Sequence, residues 1–176
     1  PPFPAEVGYL NCPTVVNNVE TFCNVPLIFE KGLEWFNSLG TEESKGTKLL
    51  SVCGDCSKPG VYEFPFGVTL NEVLKAAGSI DAAAVQVGGA SGVLVGQMDF
   101  ARQLSFEDLP TAGAIMIFSK DRNILEIVEY FMQFFIDESC GYCTPCRVGN
   151  VFLQKTLQKI RQGLGEKADL DYLLQL

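Results

Sequence analysis

The chain has 176 residues, 47% of them hydrophobic, a formal charge of −8 and no histidine. That acidic balance argues against nucleic acid and anionic membrane surfaces as partners, and the missing histidine removes His general bases, His-assisted triads and His metal ligands. No apolar run approaches the length of a membrane span, so direct membrane insertion is not expected.

The chain opens on Pro1, Pro2 and Pro4 without an initiating Met, and reads as an irregular start to a piece of a longer polypeptide. Asn17 or Asn18 can cap a helix, with Glu20 or Thr21 in its first turn. A helix is expected to resume at Pro26 and run to about Ser38, with Gly40 ending it. Residues 1–45 therefore read as a connecting segment with helices.

Residues 48–53 and 61–64 read as paired strands around the turn residues Gly54, Asp55, Pro59 and Gly60. A short helix is expected at 70–77 behind Thr69, then strands at 84–87, 93–95 and 114–118. Gly88-Gly89-Ala90-Ser91-Gly92 lacks both the dinucleotide spacing and the lysine of a phosphate loop, so a tight turn is the stronger reading. Mixed strands holding one helix make a β-grasp arrangement, and 46–119 is expected to be that unit.

From 120 onward the pattern is helical. Asp121 is expected to cap a helix bearing Ile124, Leu125, Ile127, Val128, Phe131 and Phe135, a spread wide enough to predict a largely buried helix. A second helix is expected over about 148–162, and a third from Asp169 to Leu176. Two and a half helices make the beginning of a bundle. The expected fold class is thus α+β: a small β-grasp domain followed by the start of an all-α helical bundle.

Between the first two of these helices stands Ser139-Cys140-Gly141-Tyr142-Cys143-Thr144-Pro145-Cys146-Arg147. Cysteines at every third position on one tight loop suit three corners of a cuboidal iron–sulfur cluster better than a disulfide. The total of seven cysteines is odd and no signal-peptide pattern is present, which points to a reducing, cytoplasmic setting with metal-bound or buried thiols. Three alternatives stand beside the cluster. The three could be structural thiols; Cys53 and Cys56 could complete a zinc site; or Cys53 and Cys56 could be a redox pair, although such pairs usually sit at a helix N-terminus. Cys12 and Cys23 read as small, partly buried residues. Arg147 and the following helix start favour negative charge at the loop, whereas Lys155 and Lys159 read as a solvated face.

The cysteine stretch resembles the iron–sulfur signature of the NADH-oxidising flavoprotein subunit of respiratory complex I, of NAD-reducing hydrogenase diaphorases and of NAD-dependent formate dehydrogenases. Pro1-Pro2-Phe3-Pro4-Ala5 and Pro13-Thr14-Val15-Val16-Asn17-Asn18-Val19-Glu20-Thr21 look like the same family. Gly54-Asp55-Cys56 with Pro59-Gly60, and Gly149 after Arg147, lean toward the hydrogenase branch. The resemblance implies a [4Fe–4S] cluster on Cys140, Cys143 and Cys146, with a fourth cysteine expected beyond Leu176. It implies FMN and NAD(H) in the full-length protein, bound mainly by an upstream domain, with Asn17, Asn18 and Thr21 as flavin contacts from this chain. It implies a soluble-ligand-binding (SLBB-like) identity for the β-grasp unit, residues 120–176 as an incomplete iron–sulfur domain, and other iron–sulfur subunits as partners. These 176 residues alone are expected not to oxidise NADH.

Overall fold

Asn18 begins the first regular helix: its side-chain oxygen accepts from the Glu20 N–H at 2.8 Å, and α1 (Val19–Lys31) follows. The computed structural model describes residues 2–175; Pro1 and Leu176, the ends of the expected proline-rich start and third helix, lie outside them. Pro26, expected to open a helix, sits inside α1. The helix then stops at Gly32, whose φ of 91° is a left-handed conformation that glycine adopts without strain. A separate short helix, α2 (Leu33–Asn37), follows, so the one helix expected up to Ser38 is two. Glu20 ties α1 to the first strand of the sheet by accepting from the Leu49 N–H at 2.8 Å and pairing with Lys48.

Five strands form one open sheet: β1 (Thr47–Gly54), β2 (Gly60–Pro65), β3 (Ala82–Val87), β4 (Val93–Gly96) and β5 (Ala114–Ser119), in the order β2-β1-β5-β3-β4. β1 and β5 are parallel and the other neighbours antiparallel. The helix α3 (Leu70–Ala76) starts in a reciprocal cap, Thr69 accepting from the Glu72 N–H while Glu72 accepts from the Thr69 N–H at 2.9 Å. Alternation along β1 buries Leu50 and Val52 and leaves Leu49, Ser51 and Cys53 on the other face. The buried face joins Val85, Val87, Ile115 and Ile117 to Leu70, Val73 and Leu74 of α3, and this is the core. Residues 88–92 close the β3–β4 hairpin, as the tight-turn reading expects.

After the sheet come α4 (Ile124–Asp137), α5 (Thr144–Arg161) and α6 (Lys167–Gln175). Asn123, not Asp121, caps α4, accepting from the Leu125 and Glu126 N–H groups. Phe131 of α4 meets Phe118 of β5 edge-on, ring centroids 6.4 Å apart. The expected burial of α4 is not observed: Tyr130 is 73% exposed and Phe134 46%, and its one buried residue is Glu129. Glu129 is paired with Arg161 of α5 at 2.6 Å. Lys159 bridges to Asp169 of α6 at 2.8 Å, so this lysine has a specific partner where a purely solvated face was expected. The result is a small open sheet followed by a helical bundle.

Candidate metal centre

The cysteine loop joins α4 to α5, two helices packed side by side. Gly141 takes φ 74°, which lets the chain reverse between Cys140 and Cys143. Cys143 is the N-cap residue of α5, and the helix starts at Thr144, with Pro145 in the first turn where its missing N–H costs nothing. The expected start at 148 is therefore late by one turn, and Cys146 lies inside the helix. No side chain caps α5, and no acid occupies its first turn. The positive end of an 18-residue helix thus faces the thiols without a competing carboxylate.

Hydrogen bonds hold the loop closed. Arg147 donates to the Gly141 carbonyl and, at 3.4 Å, to Thr144 Oγ1. Ser139 Oγ accepts from the Gly141 N–H at 3.2 Å and lies 3.5 Å from Cys146 Sγ. Asn150 Nδ2 donates to the same sulfur at 3.6 Å. Cys140, Cys143 and Cys146 are all free thiols and exposed. In this structure they are not drawn onto one point: among the described residues, no three Cys, Asp or Glu side chains stand close enough to hold a metal ion. The donor set nevertheless fits a thiolate-bound cluster. It is all sulfur, without disulfides, on a loop whose backbone and helix end favour negative charge.

Residues 126–176, which contain this loop, match the family described as the NADH-ubiquinone oxidoreductase-F iron–sulfur binding region. The chain is 54% identical over 172 residues to the NAD-reducing hydrogenase HoxS subunit alpha of Cupriavidus necator, covering 97% of this chain and 29% of that protein. The chain matches the 51-kDa-type subunit family of complex I and NAD-reducing hydrogenases. A subunit of the NADH-quinone oxidoreductase of Escherichia coli is 38% identical over 187 residues, covering 100% of this chain and 42% of that protein. A solved NAD+-reducing [NiFe]-hydrogenase in the H2-reduced state superposes with a TM-score of 0.81 at 47% identity, covering 99% of this chain and 31% of that one. The 54% identity to the HoxS subunit exceeds the 38% identity to the Escherichia coli subunit. The chain spans between 29% and 42% of the length of these relatives.

The other residues singled out in the sequence fall into separate surroundings. Asn17, Asn18 and Thr21 gather around the start of α1, all exposed, with Asn18 engaged as the cap. Cys53 lies on the outer face of β1, bonded weakly to the Ile115 carbonyl at 3.6 Å, whereas Cys56 packs against the core on the other side of the sheet. Cys12 and Cys23 are exposed, not partly buried. Sequence reasoning missed Ser139, Asn150 and Glu129. Asn150 had a findable signal, four residues after Cys146 on one helix.

Proposed function

We propose that this chain is the electron-exit part of an NADH-oxidising flavoprotein subunit, with Cys140, Cys143 and Cys146 as three ligands of a [4Fe–4S] cluster. The observation that carries the reading is the loop itself: three free thiols, with Cys143 at the uncapped N-terminus of α5, Cys146 in its first turn and Cys140 in the loop before it, a loop closed by Arg147 and Ser139. When bound in the full-length protein, FMN would accept hydride from NADH and the cluster would carry single electrons onward to other iron–sulfur subunits.

What this chain's residues contribute is binding and orientation. The three thiolates fix position, Gly141 sets the turn between the first two, and Arg147 holds that turn against the start of α5. The helix end and the Arg147 guanidinium offset the negative charge that thiolates gather. A fourth cysteine would come from outside these 176 residues. Asn17, Asn18 and Thr21, exposed at the start of α1, would present polar groups to the flavin. The sheet of β1–β5 would be the SLBB-like unit, with boundaries near 46 and 119.

The reading places the protein in the reducing cytoplasm, as part of a multisubunit oxidoreductase. No helix among the described residues is long and apolar enough to cross a membrane. Residues 88–92 close a hairpin and do not lead into a helix, so they offer no dinucleotide loop, and these 176 residues by themselves would not oxidise NADH.

Metal analysis of the full-length polypeptide, purified without oxygen, tests the proposal. Iron and acid-labile sulfide in similar amounts, with broad visible absorption, are expected. Colourless protein with stoichiometric zinc would replace the cluster by a structural site.

A further inference from the structure

Two side chains outside the cysteine set converge on one of its sulfurs. Ser139 comes from the segment before the loop and Asn150 from the second turn of α5, and both reach Cys146 Sγ, at 3.5 and 3.6 Å. These distances suit hydrogen bonds to sulfur, whose lone pairs are larger and softer than those of oxygen. The direction of each bond follows from chemistry. A thiolate has no proton and can only accept, so the Asn150 amide must present its NH2. The Ser139 hydroxyl already accepts from the Gly141 N–H at 3.2 Å, which leaves its own proton free for the sulfur. Ser139 and Asn150 are themselves half-buried, while Cys146 and the two bonds to it are exposed. Among the described residues no side chain is hydrogen-bonded to the sulfur of Cys140 or Cys143.

We propose that Ser139 and Asn150 are positioning residues that set the reduction potential of the cluster by donating two hydrogen bonds to the Cys146 thiolate. The inference rests on the cluster assignment above and deepens it, by making the three ligands unequal. Reduction adds negative charge that spreads onto the ligand sulfurs. Donors aimed at a sulfur stabilise that charge and raise the potential. Asn150 is held by the helix, one turn beyond Cys146, and Ser139 by the Gly141 bond, so neither needs to move when an electron arrives.

The test is a potentiometric titration followed by electron paramagnetic resonance, on the full-length polypeptide in its native complex. Wild type is compared with Ser139→Ala, Asn150→Leu and the conservative Ser139→Thr. Iron and sulfide content is measured on each. The expected result is unchanged iron and sulfide, with the Ala and Leu variants each reduced less readily. At a fixed potential the reduced-to-oxidised ratio falls about tenfold per bond removed, ~59 mV for a one-electron couple. Ser139→Thr, which keeps the hydroxyl, returns the potential to that of wild type. Full cluster content with unmoved potentials overturns the proposal and leaves the cluster assignment standing. Loss of iron from Ser139→Ala and Asn150→Leu also overturns it, because the bonds would then be needed to hold the cluster rather than to tune it. Wild-type protein without iron and sulfide overturns the cluster assignment itself, and this proposal with it.

Discussion

Arg122 grips Asp55 with two parallel hydrogen bonds, Nε to Oδ2 at 2.9 Å and Nη2 to Oδ1 at 2.7 Å. Asp55 lies in the turn after β1, and Arg122 stands just before the cap of α4, so the pair ties the sheet to the first helix of the bundle. Asp55 also accepts from the Ser119 N–H at 3.0 Å, and with Arg122 first and Ser119 second its carboxyl is held well below the usual carboxylate range. The fork geometry belongs to arginine, and lysine does not reproduce it. Arg122→Lys and Asp55→Asn are both expected to speed amide hydrogen exchange in the first turn of α4 while leaving β3 and β4 protected. Equal loss of protection in all these elements would show a global role in place of this local one.

A second carboxylate gives a pH dependence. Glu107 accepts from the hydroxyls of Ser44 and Thr41, in that order of effect, and its carboxyl is held down from 4.5 to about 2. A folded-state value below the unfolded one contributes stability that is complete above the unfolded value and fades as pH falls through the folded one. The contribution of Glu107 is therefore lost between 4.5 and about 2. The urea midpoint should drop further in wild type than in Glu107→Gln between about pH 6 and about pH 3. Parallel drops in the two proteins would remove Glu107 from the account.

The buried acid of α4 predicts a non-additive pair. Glu129 accepts from Arg161 Nε at 2.6 Å and is 9% exposed. Arg161→Met strands a carboxylate between α4 and α5, whereas adding Glu129→Leu removes the stranded charge. The double variant is expected to have a higher denaturation midpoint than Arg161→Met alone. A double variant as unstable as the sum of the singles would show that the two side chains act independently.

Gly141 links stability to the loop. Its φ of 74° disfavours any side chain, yet a Cβ there would meet only Arg147 Cδ, at 4.0 Å. The cost of Gly141→Ala is therefore conformational, about 1–2 kcal/mol, with no collision. The full-length variant should keep its thermal unfolding of the sheet and hold less iron per chain. Unchanged iron content would mean that the turn at Gly141 is not needed to gather the thiols.

The sheet was legible because each strand carries its own evidence. Turn residues bracket the strands, and the alternation of Leu50 and Val52 with Leu49, Ser51 and Cys53 names the buried face. The helices were less legible at their starts. Asn18, one of the two caps expected there, does start α1, but Pro26 lies inside that helix and does not reopen one, and Asp121 stood in for Asn123, because several capping residues compete and only the backbone decides among them. For α5 the useful signal was Pro145, a residue at home in a first turn. The burial of α4 was overstated because composition counts apolar residues, not the surfaces available to cover them. Tyr130 and Phe134 stay exposed while Glu129 is covered by a partner 32 residues away, a pairing that no local pattern carries. At the site, the cysteine spacing was plain in the sequence. The donors on Cys146 were not, since Ser139 reaches it only through the turn at Gly141.

The central claim is that Cys140, Cys143 and Cys146 hold a [4Fe–4S] cluster. Its most direct test is the electron paramagnetic resonance spectrum of the reduced full-length polypeptide with each cysteine changed singly to serine. The account predicts that every one of the three variants loses or visibly alters a signal present in wild type, while Cys53→Ser and Cys56→Ser leave it unchanged. A wild-type signal that survives intact in the Cys140, Cys143 and Cys146 variants would contradict it.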